Sequence, residues 1–330
     1  MKLIAYMAVA AALILAVSCS KENKDSQGQN KPGKIATTVS TKAATEIGYF
    51  AATINGTLKT DNADDINKEV SFLYSDEATT LEALKASGTA ISASLSGESF
   101  SATLSNLRLH KTYFYTAVAK VNDKDFYGSV MTFTTKTRSV PSGAIELELS
   151  VMWSTCNLGS DVEEGYGDYF SWGETEIKKD YSWDTYKWCN GDENKLTKYI
   201  TSTSYGTVDN KTELEAEDDV AHVKLGGNWR IPTNAEWNEL WEKCIWRGRI
   251  KNGVEGMLVT SKKNGNSIFL PTAGDWLYTY CNSGTYGHYW SSSLTSYSSL
   301  AWHIIFTRTN APHMQGEVRY LGLSVRPVTE

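Results

Sequence analysis

The sequence predicts two domains of different class: an all-β sandwich over residues 35–137 and an α+β domain over residues 146–330, joined by a linker at 138–145. Three observations carry this. Short apolar alternations of period two, separated by turn residues about every ten positions, fill residues 35–136. A capped helix with an i, i+3, i+4, i+7 apolar stripe begins at Thr233. All 11 tryptophans lie at or after Trp153, so the two halves bury different kinds of core. The 330 residues suit two domains, and 41% hydrophobic against 21% charged residues suffices for two cores. The net charge is −6 and no run of Lys and Arg occurs, which removes nucleic acid from the expected partners.

The first element is an address. Met1 and Lys2 precede an apolar run from Leu3 to Val17. That run is shorter than the roughly 20 residues a membrane span needs, and it reads as a secretion signal over residues 1–18. Ala16-Val17-Ser18-Cys19 resembles the lipobox of bacterial lipoproteins, with Ala16 where the pattern prefers Leu. The resemblance implies lipidation of Cys19 and a membrane as partner, since each buried acyl methylene contributes about 0.8 kcal/mol. The other reading is a plain signal peptide with an incidental cysteine. Residues 19–34 are polar and aperiodic, a tether. Ser20 to Asp25 resembles the charged stretch behind the lipidated Cys in outer-face lipoproteins of the Bacteroidetes. This implies an outer-membrane anchor facing the cell exterior, with inner-leaflet retention as the alternative.

The sandwich comes next. Residues 47–54 alternate and Asn55-Gly56 reads as a turn. Val70, Phe72 and Tyr74 form one apolar face, as do Phe100, Ala102 and Leu104, and then Tyr113, Tyr115, Ala117 and Ala119. Asn122-Asp123 turns the chain before Phe126 to Phe133 returns. The run Leu107 to Ala119 resembles the strand-F signature of fibronectin type III domains, with Leu107 and Tyr113 at the leucine and tyrosine-corner positions. Leu109 and Lys111 depart from the usual Pro and Thr. The resemblance implies a spacer. Asp61, Asp64 and Asp65 read as a solvated turn, because the spacing and closing Glu of a calcium loop are absent. Pro141-Ser142-Gly143 marks the boundary.

In the second half, Thr233 and Glu236 form a capping box, and Trp237, Leu240, Trp241 and Cys244 a stripe expected to pack on a sheet, the helix running to about Ile245. A shorter helix is expected at Glu217 to Lys224, and strands at Ile268–Leu270, Tyr289–Ser292, Ala301–Thr307 and Ser324–Val328. Along this half, Trp153–Gly159, Gly167–Thr175, Tyr186–Gly191, Asp218–Ala221, Trp229–Trp237, Asn264–Gly274, Tyr289–Ser293 and Gly322–Val328 resemble the Fibrobacter succinogenes major paralogous domain, a family related to the C-terminal domain of the Legionella collagen-like adhesin. The resemblance implies a C-type-lectin-like fold with two helices on a twisted, mostly antiparallel sheet. Arg230 to Trp237 is also similar to a segment of formylglycine-generating enzymes, whose cysteines near the C-terminus have no counterpart after Cys281.

Binding, not catalysis, is the expected activity. Ser291 to Ser293 beside His288 lack a nucleophile elbow. Asp218, Asp219 and His222 suit the acidic start of a helix better than a metal site, no cofactor is expected, and the lectin calcium motifs are absent. Gly284 to Tyr320 is rich in Tyr, Ser, Thr, Asn and His, a composition suited to contact surfaces. Alternation places Trp302, Ile304 and Phe306 inward and His303, Ile305 and Thr307 outward. The expected contact residues are Tyr286, His288, Tyr297, His303, Arg308, His313 and Tyr320, and the partner a glycan or protein outside the cell. A structural component of the envelope without external ligand is the alternative, and a diversified variable protein of a retroelement a further one. Cys156, Cys189, Cys244 and Cys281 allow two disulfides in three pairings, although Cys244 on the helix stripe suits a buried thiol.

Overall fold

The computed structural model describes residues 37–60 and 67–330. The leader, Cys19, the tether, and Asp61, Asp64 and Asp65 lie outside the described residues. No helix among the described residues is long and apolar enough to cross a membrane.

The alternating segments fold into β1 (Thr38–Thr45), β2 (Ala52–Lys59), β3 (Lys68–Ser75), β4 (Thr89–Ser96), β5 (Ser99–Leu104), β6 (Thr112–Val121), β7 (Lys124–Tyr127) and β8 (Met131–Thr134), with a short helix α1 (Leu81–Ser87). Their order is β1-β2-β5-β4-β3-β6-β7, with β8 also on β6. β4 joins the two faces of a sandwich: Thr89 to Ala93 pair with β3, and Ser94 to Ser96 with β5. Val39, Ile54, Phe72, Phe100 and Tyr115 meet in its core. The Tyr113 hydroxyl accepts the Arg108 N–H at 3.0 Å, and Leu107 is buried beside it, so the corner expected from sequence forms. Asn55-Gly56 does not turn; it lies inside β2. A Cβ on Gly56 would stand 2.7 Å from the Phe100 ring, so the glycine admits that ring to the core. The Asn55 amide donates to the Ala43 carbonyl across the bulge of β1.

The linker is structured. The Arg138 guanidinium lies 5.2 Å from both the Tyr49 and Phe50 rings and 3.4 Å from the Glu146 carboxylate, and it donates to the Leu149 and Ser150 carbonyls.

Beyond it come β9 (Ala144–Ile145), β10 (Met152–Ser154), β11 (Tyr169–Phe170), α2 (Val220–Leu225), α3 (Asn234–Lys243), β12 (Cys244–Lys251), β13 (Val254–Ser261), β14 (Ser267–Pro271), β15 (Asp275–Leu277), β16 (Tyr280–Cys281), β17 (Tyr286–Leu294), β18 (Leu300–Thr307), β19 (His313–Val318), β20 (Gly322–Ser324) and β21 (Val328–Thr329). The largest sheet runs β16-β15-β20-β17-β18-β19, with β11 on β20; β12-β13-β14 and β9-β10-β21 form two smaller ones. β17 and β20 are parallel, whereas the other ladders are antiparallel. The capping box forms as expected: Thr233 accepts the Glu236 N–H, and Glu236 accepts the Thr233 N–H. Trp237 and Leu240 are buried, but Trp241 is 43% exposed. The helix stops at Lys243, because Cys244 already pairs with Ser261 in the β12–β13 hairpin. Asp219 caps α2, accepting the Ala221 and His222 N–H groups.

Residues 155–215 contain one two-residue strand, so their carbonyls need partners outside a ladder. Turn bonds within the segment supply many of them, and two fully buried arginines add those of Thr155, Lys198 and Tyr199. Arg319 donates to the Tyr186 hydroxyl at 2.8 Å and to the carbonyls of Ser298, Lys198 and Tyr199, with Trp172 4.9 Å from its guanidinium. Arg326 donates to Asn157 Oδ1 and to the carbonyls of Ser154, Thr155 and Phe269. Neither has a carboxylate within salt-bridge reach among the described residues. Cys156, Cys189, Cys244 and Cys281 are all unpaired, against the disulfide expectation. Cys189 donates to the Trp183 carbonyl, and burial pushes the Cys244 thiol up to about 12.

Candidate functional site

The seven residues expected to touch a ligand do not form one surface. Tyr286 opens β17 and is 40% exposed, whereas Tyr297 is 60% exposed in the turn beyond that strand's far end. At about 3.4 Å per residue, the strand separates them by on the order of 25 Å. Arg308 pairs with Glu255 at 3.1 Å, next to Gly248, where a Cβ would collide with the Arg308 carbonyl. His313 is exposed on the edge strand β19. Tyr320 is half-buried, its ring edge-on to Trp183 at 5.0 Å.

His303 is a correction: it is fully buried. Alternation separates inward from outward residues only where one face of a sheet meets water. Here both faces are covered. Ile304 and Phe306 pack with Trp237 and Leu240 of α3, while Ala301 on the opposite face packs with Trp290 and Leu323. Trp302, expected inside, is half-exposed. The rings of His288 and His303 lie parallel, 5.2 Å apart and inclined by 14°. Burial pushes the His288 ring down to about 4; burial and the neighbouring His288 push His303 down to about 3. Both imidazoles are therefore neutral at pH 7.

The most exposed aromatic group was not anticipated. The β15–β16 hairpin carries Leu277 at 39%, Tyr278 at 57% and Tyr280 at 70% exposure, and Tyr286 follows six residues on from Tyr280. Its base is fixed. Trp276 packs between Tyr169 and Tyr181, and Tyr278 exchanges two backbone hydrogen bonds with Tyr181. Tyr278 adopts φ +53°, a left-handed turn position that an aromatic residue rarely takes. Its ring is 6.5 Å from that of Tyr320. The signal in the sequence was Trp276-Leu277-Tyr278-Thr279-Tyr280, an aromatic run with no polar alternation to bury it.

The other groups weighed for chemistry serve the scaffold. Ser293 Oγ accepts the Asn234 N–H, Ser291 Oγ accepts the Ser293 N–H, and the Ser292 hydroxyl donates to Glu213. Asp218, with Glu215 and Glu217, surrounds the Lys198 ammonium, and Asp218 also accepts the Tyr199 hydroxyl at 2.7 Å.

No protein-family description matches the chain, and no curated protein matches it. Among solved structures, it is similar to a short form of the sensor domain of the anti-sigma factor RsgI4 in Pseudobacteroides cellulosolvens, at 25% identity over 31% of this chain and 96% of that one, with TM-score 0.24. It is also similar to the fibronectin type-III domain of human fibronectin type III domain containing protein 3, at 18% identity over 36% of this chain and 98% of that one, with TM-score 0.25. The sandwich architecture rests on its own strand pairing and tyrosine corner.

Proposed function

We propose that the chain is a lipid-anchored outer-membrane protein, facing the cell exterior, that binds a glycan or protein ligand through its second region and catalyses nothing. In this reading the sandwich is a fibronectin type III-like spacer, and the Trp-rich region a C-type-lectin-like scaffold. One observation carries the binding claim. Within the ten residues Leu277 to Tyr286, four large apolar side chains stand 39–70% exposed, three of them on a hairpin whose base is pinned and the fourth at the start of β17. Tyrosines held rigidly offer large contact area at small entropic cost, with hydroxyls for orientation. Scattered surface apolar residues need no explanation, but such a cluster marks an interaction surface.

The test is capture of glycans and matrix proteins by the intact protein and by its Tyr278→Ala/Tyr280→Ala variant. At least a tenfold loss of capture with unchanged unfolding is expected. Equal capture by both proteins rejects the hairpin as the contact surface. Protease treatment of intact cells, followed by detection of the chain, tests the exterior placement; full protection rejects it.

A further inference from the structure

An open sheet ends in strands whose outer row of backbone N–H and C=O groups is unpaired, and proteins blunt such edges by making them short, bulged or proline-bearing. β12 is the outer member of the three-stranded β12-β13-β14 sheet. It is eight residues long and pairs with β13 without a break in register, from Cys244 opposite Ser261 to Lys251 opposite Val254. Among the described residues, the other sheet-edge strands have six residues or fewer, except β1, which carries a bulge. β12 has neither bulge nor proline. Outside its ladder, no backbone group from Ile245 to Ile250 has a backbone partner among the described residues, and the Gly248 carbonyl accepts the Arg249 guanidinium at 3.0 Å.

Its side chains select the occupant. Strand alternation puts Ile245, Arg247, Arg249 and Lys251 on one face. Lys251 is paired with Glu163. Arg247 and Arg249 are exposed, and among the described residues neither has a carboxylate within salt-bridge reach. Ile245 is 39% exposed on the same face, and Ile250, on the other, 60%. The chain as a whole carries a charge of −6, so this strand is a local reversal of sign. A second copy does not suit the edge. Antiparallel self-pairing about Gly248 would set Arg247 of one copy opposite Arg249 of the other, and like charges directly opposite destabilise a ladder. A carboxylate in the same place forms paired, charge-assisted hydrogen bonds with each guanidinium.

We propose that β12 is a docking edge for an acidic, extended segment of another protein, which adds to the β12-β13-β14 sheet as a further strand. Backbone hydrogen bonds to the open edge supply affinity, and alternate side chains supply selectivity. Read from its N-terminal end, an antiparallel segment places one acid opposite Arg249, a second acid two residues on opposite Arg247, and an apolar residue two further on opposite Ile245. The charges that keep copies of this chain apart are the ones that admit the acidic strand. This inference is independent of the hairpin reading, since it uses none of Leu277, Tyr278 or Tyr280.

The experiment titrates the full-length chain into a fluorescently labelled synthetic peptide, Thr-Thr-Glu-Thr-Glu-Thr-Ile-Thr, and follows its anisotropy. Saturable binding is expected. The same peptide with Lys in place of Glu, and the Glu peptide N-methylated along its backbone, should each bind at least tenfold more weakly; both comparisons use the unaltered chain. Arg247→Glu/Arg249→Glu changes exposed residues and should keep the parent's unfolding midpoint while losing at least tenfold for the Glu peptide and gaining for the Lys peptide. Tyr278→Ala/Tyr280→Ala should bind the Glu peptide as the parent does, which separates this edge from the hairpin. Absence of saturable binding, equal affinity for the Lys peptide, or equal binding by the arginine variant would overturn the proposal. Full binding of the N-methylated peptide would overturn it too, leaving charge attraction without strand addition. A dimer of the parent that the Glu peptide dissolves, seen by sedimentation, would give the edge to a second copy and reject the acidic partner.

Discussion

The sandwich and the Trp-rich region solve the same problem differently. Both must satisfy buried backbone groups. The sandwich does so mainly through its ladders, with short side chains closing the gaps: Tyr113 and Thr135 at the corner before β6, and Thr41, Tyr115 and Thr116 between β1 and β6 and the turn after β7. The second region has long irregular stretches, and there local turns share the ladder's task with buried side chains, two arginines among them. One guanidinium offers five donors in a fixed plane, so Arg319 and Arg326 each collect several carbonyls from segments far apart in the chain. A regular element satisfies its polar groups through its ladder; an irregular one combines local turns with a few long-range donors, each of which serves several segments at once.

That contrast can be broken by substitution. Arg319→Met leaves the Tyr186 hydroxyl and three carbonyls without their donor, so the second region should lose about 3–5 kcal/mol. Denaturant unfolding followed by tryptophan fluorescence reports that region alone, since every Trp lies in it. A loss below about 1 kcal/mol would show that the loops hold themselves. Gly287→Ala comes next. The new Cβ would stand 2.2 Å from the buried Phe306 ring, and overpacking of this kind costs about 1–3 kcal/mol. An unchanged midpoint would mean that the ring moves aside freely.

In the sandwich, Tyr113→Phe removes one hydrogen bond and should cost about 1 kcal/mol, seen by circular dichroism as an earlier unfolding of the β signal with no change in tryptophan fluorescence. If the fluorescence transition moves with it, the two regions unfold as one. The smallest effect expected is that of Trp241→Ala. Despite its place on the apolar stripe, this residue is 43% exposed, and the change in unfolding free energy should stay within about 0.5 kcal/mol. A larger loss would put Trp241 in the core after all.

Local chemistry was legible wherever it acts within a few residues. The capping box at Thr233 and Glu236 and the apolar faces of β3, β5 and β6 follow from spacing, and the Tyr113 corner from the resemblance of its strand to a known signature. Misreadings cluster where distant segments intervene. Asn55-Gly56 has the composition of a turn, yet Phe100 requires the glycine inside a strand. The helix stripe predicted Trp241 inward, but within α3 only Trp237 and Leu240 of that stripe are buried and Trp241 is left outside.

The candidate site shows the same division. Sequence marked out a polar, aromatic stretch from Gly284 to Tyr320 and gave the residue types suited to contact. It could not sort them, because period two distinguishes only the two faces of a strand and says nothing of what covers each. The tertiary structure buried His303, paired Arg308 with Glu255, set Tyr286 and Tyr297 at opposite ends of β17, and raised Tyr278 and Tyr280 into solvent. By itself the sequence determined the periodicities and caps, which depend on neighbours along the chain. Exposure was left to tertiary structure, because it is a property of the layers packed above and below a residue, and those come from other elements, such as α3 over Ile304.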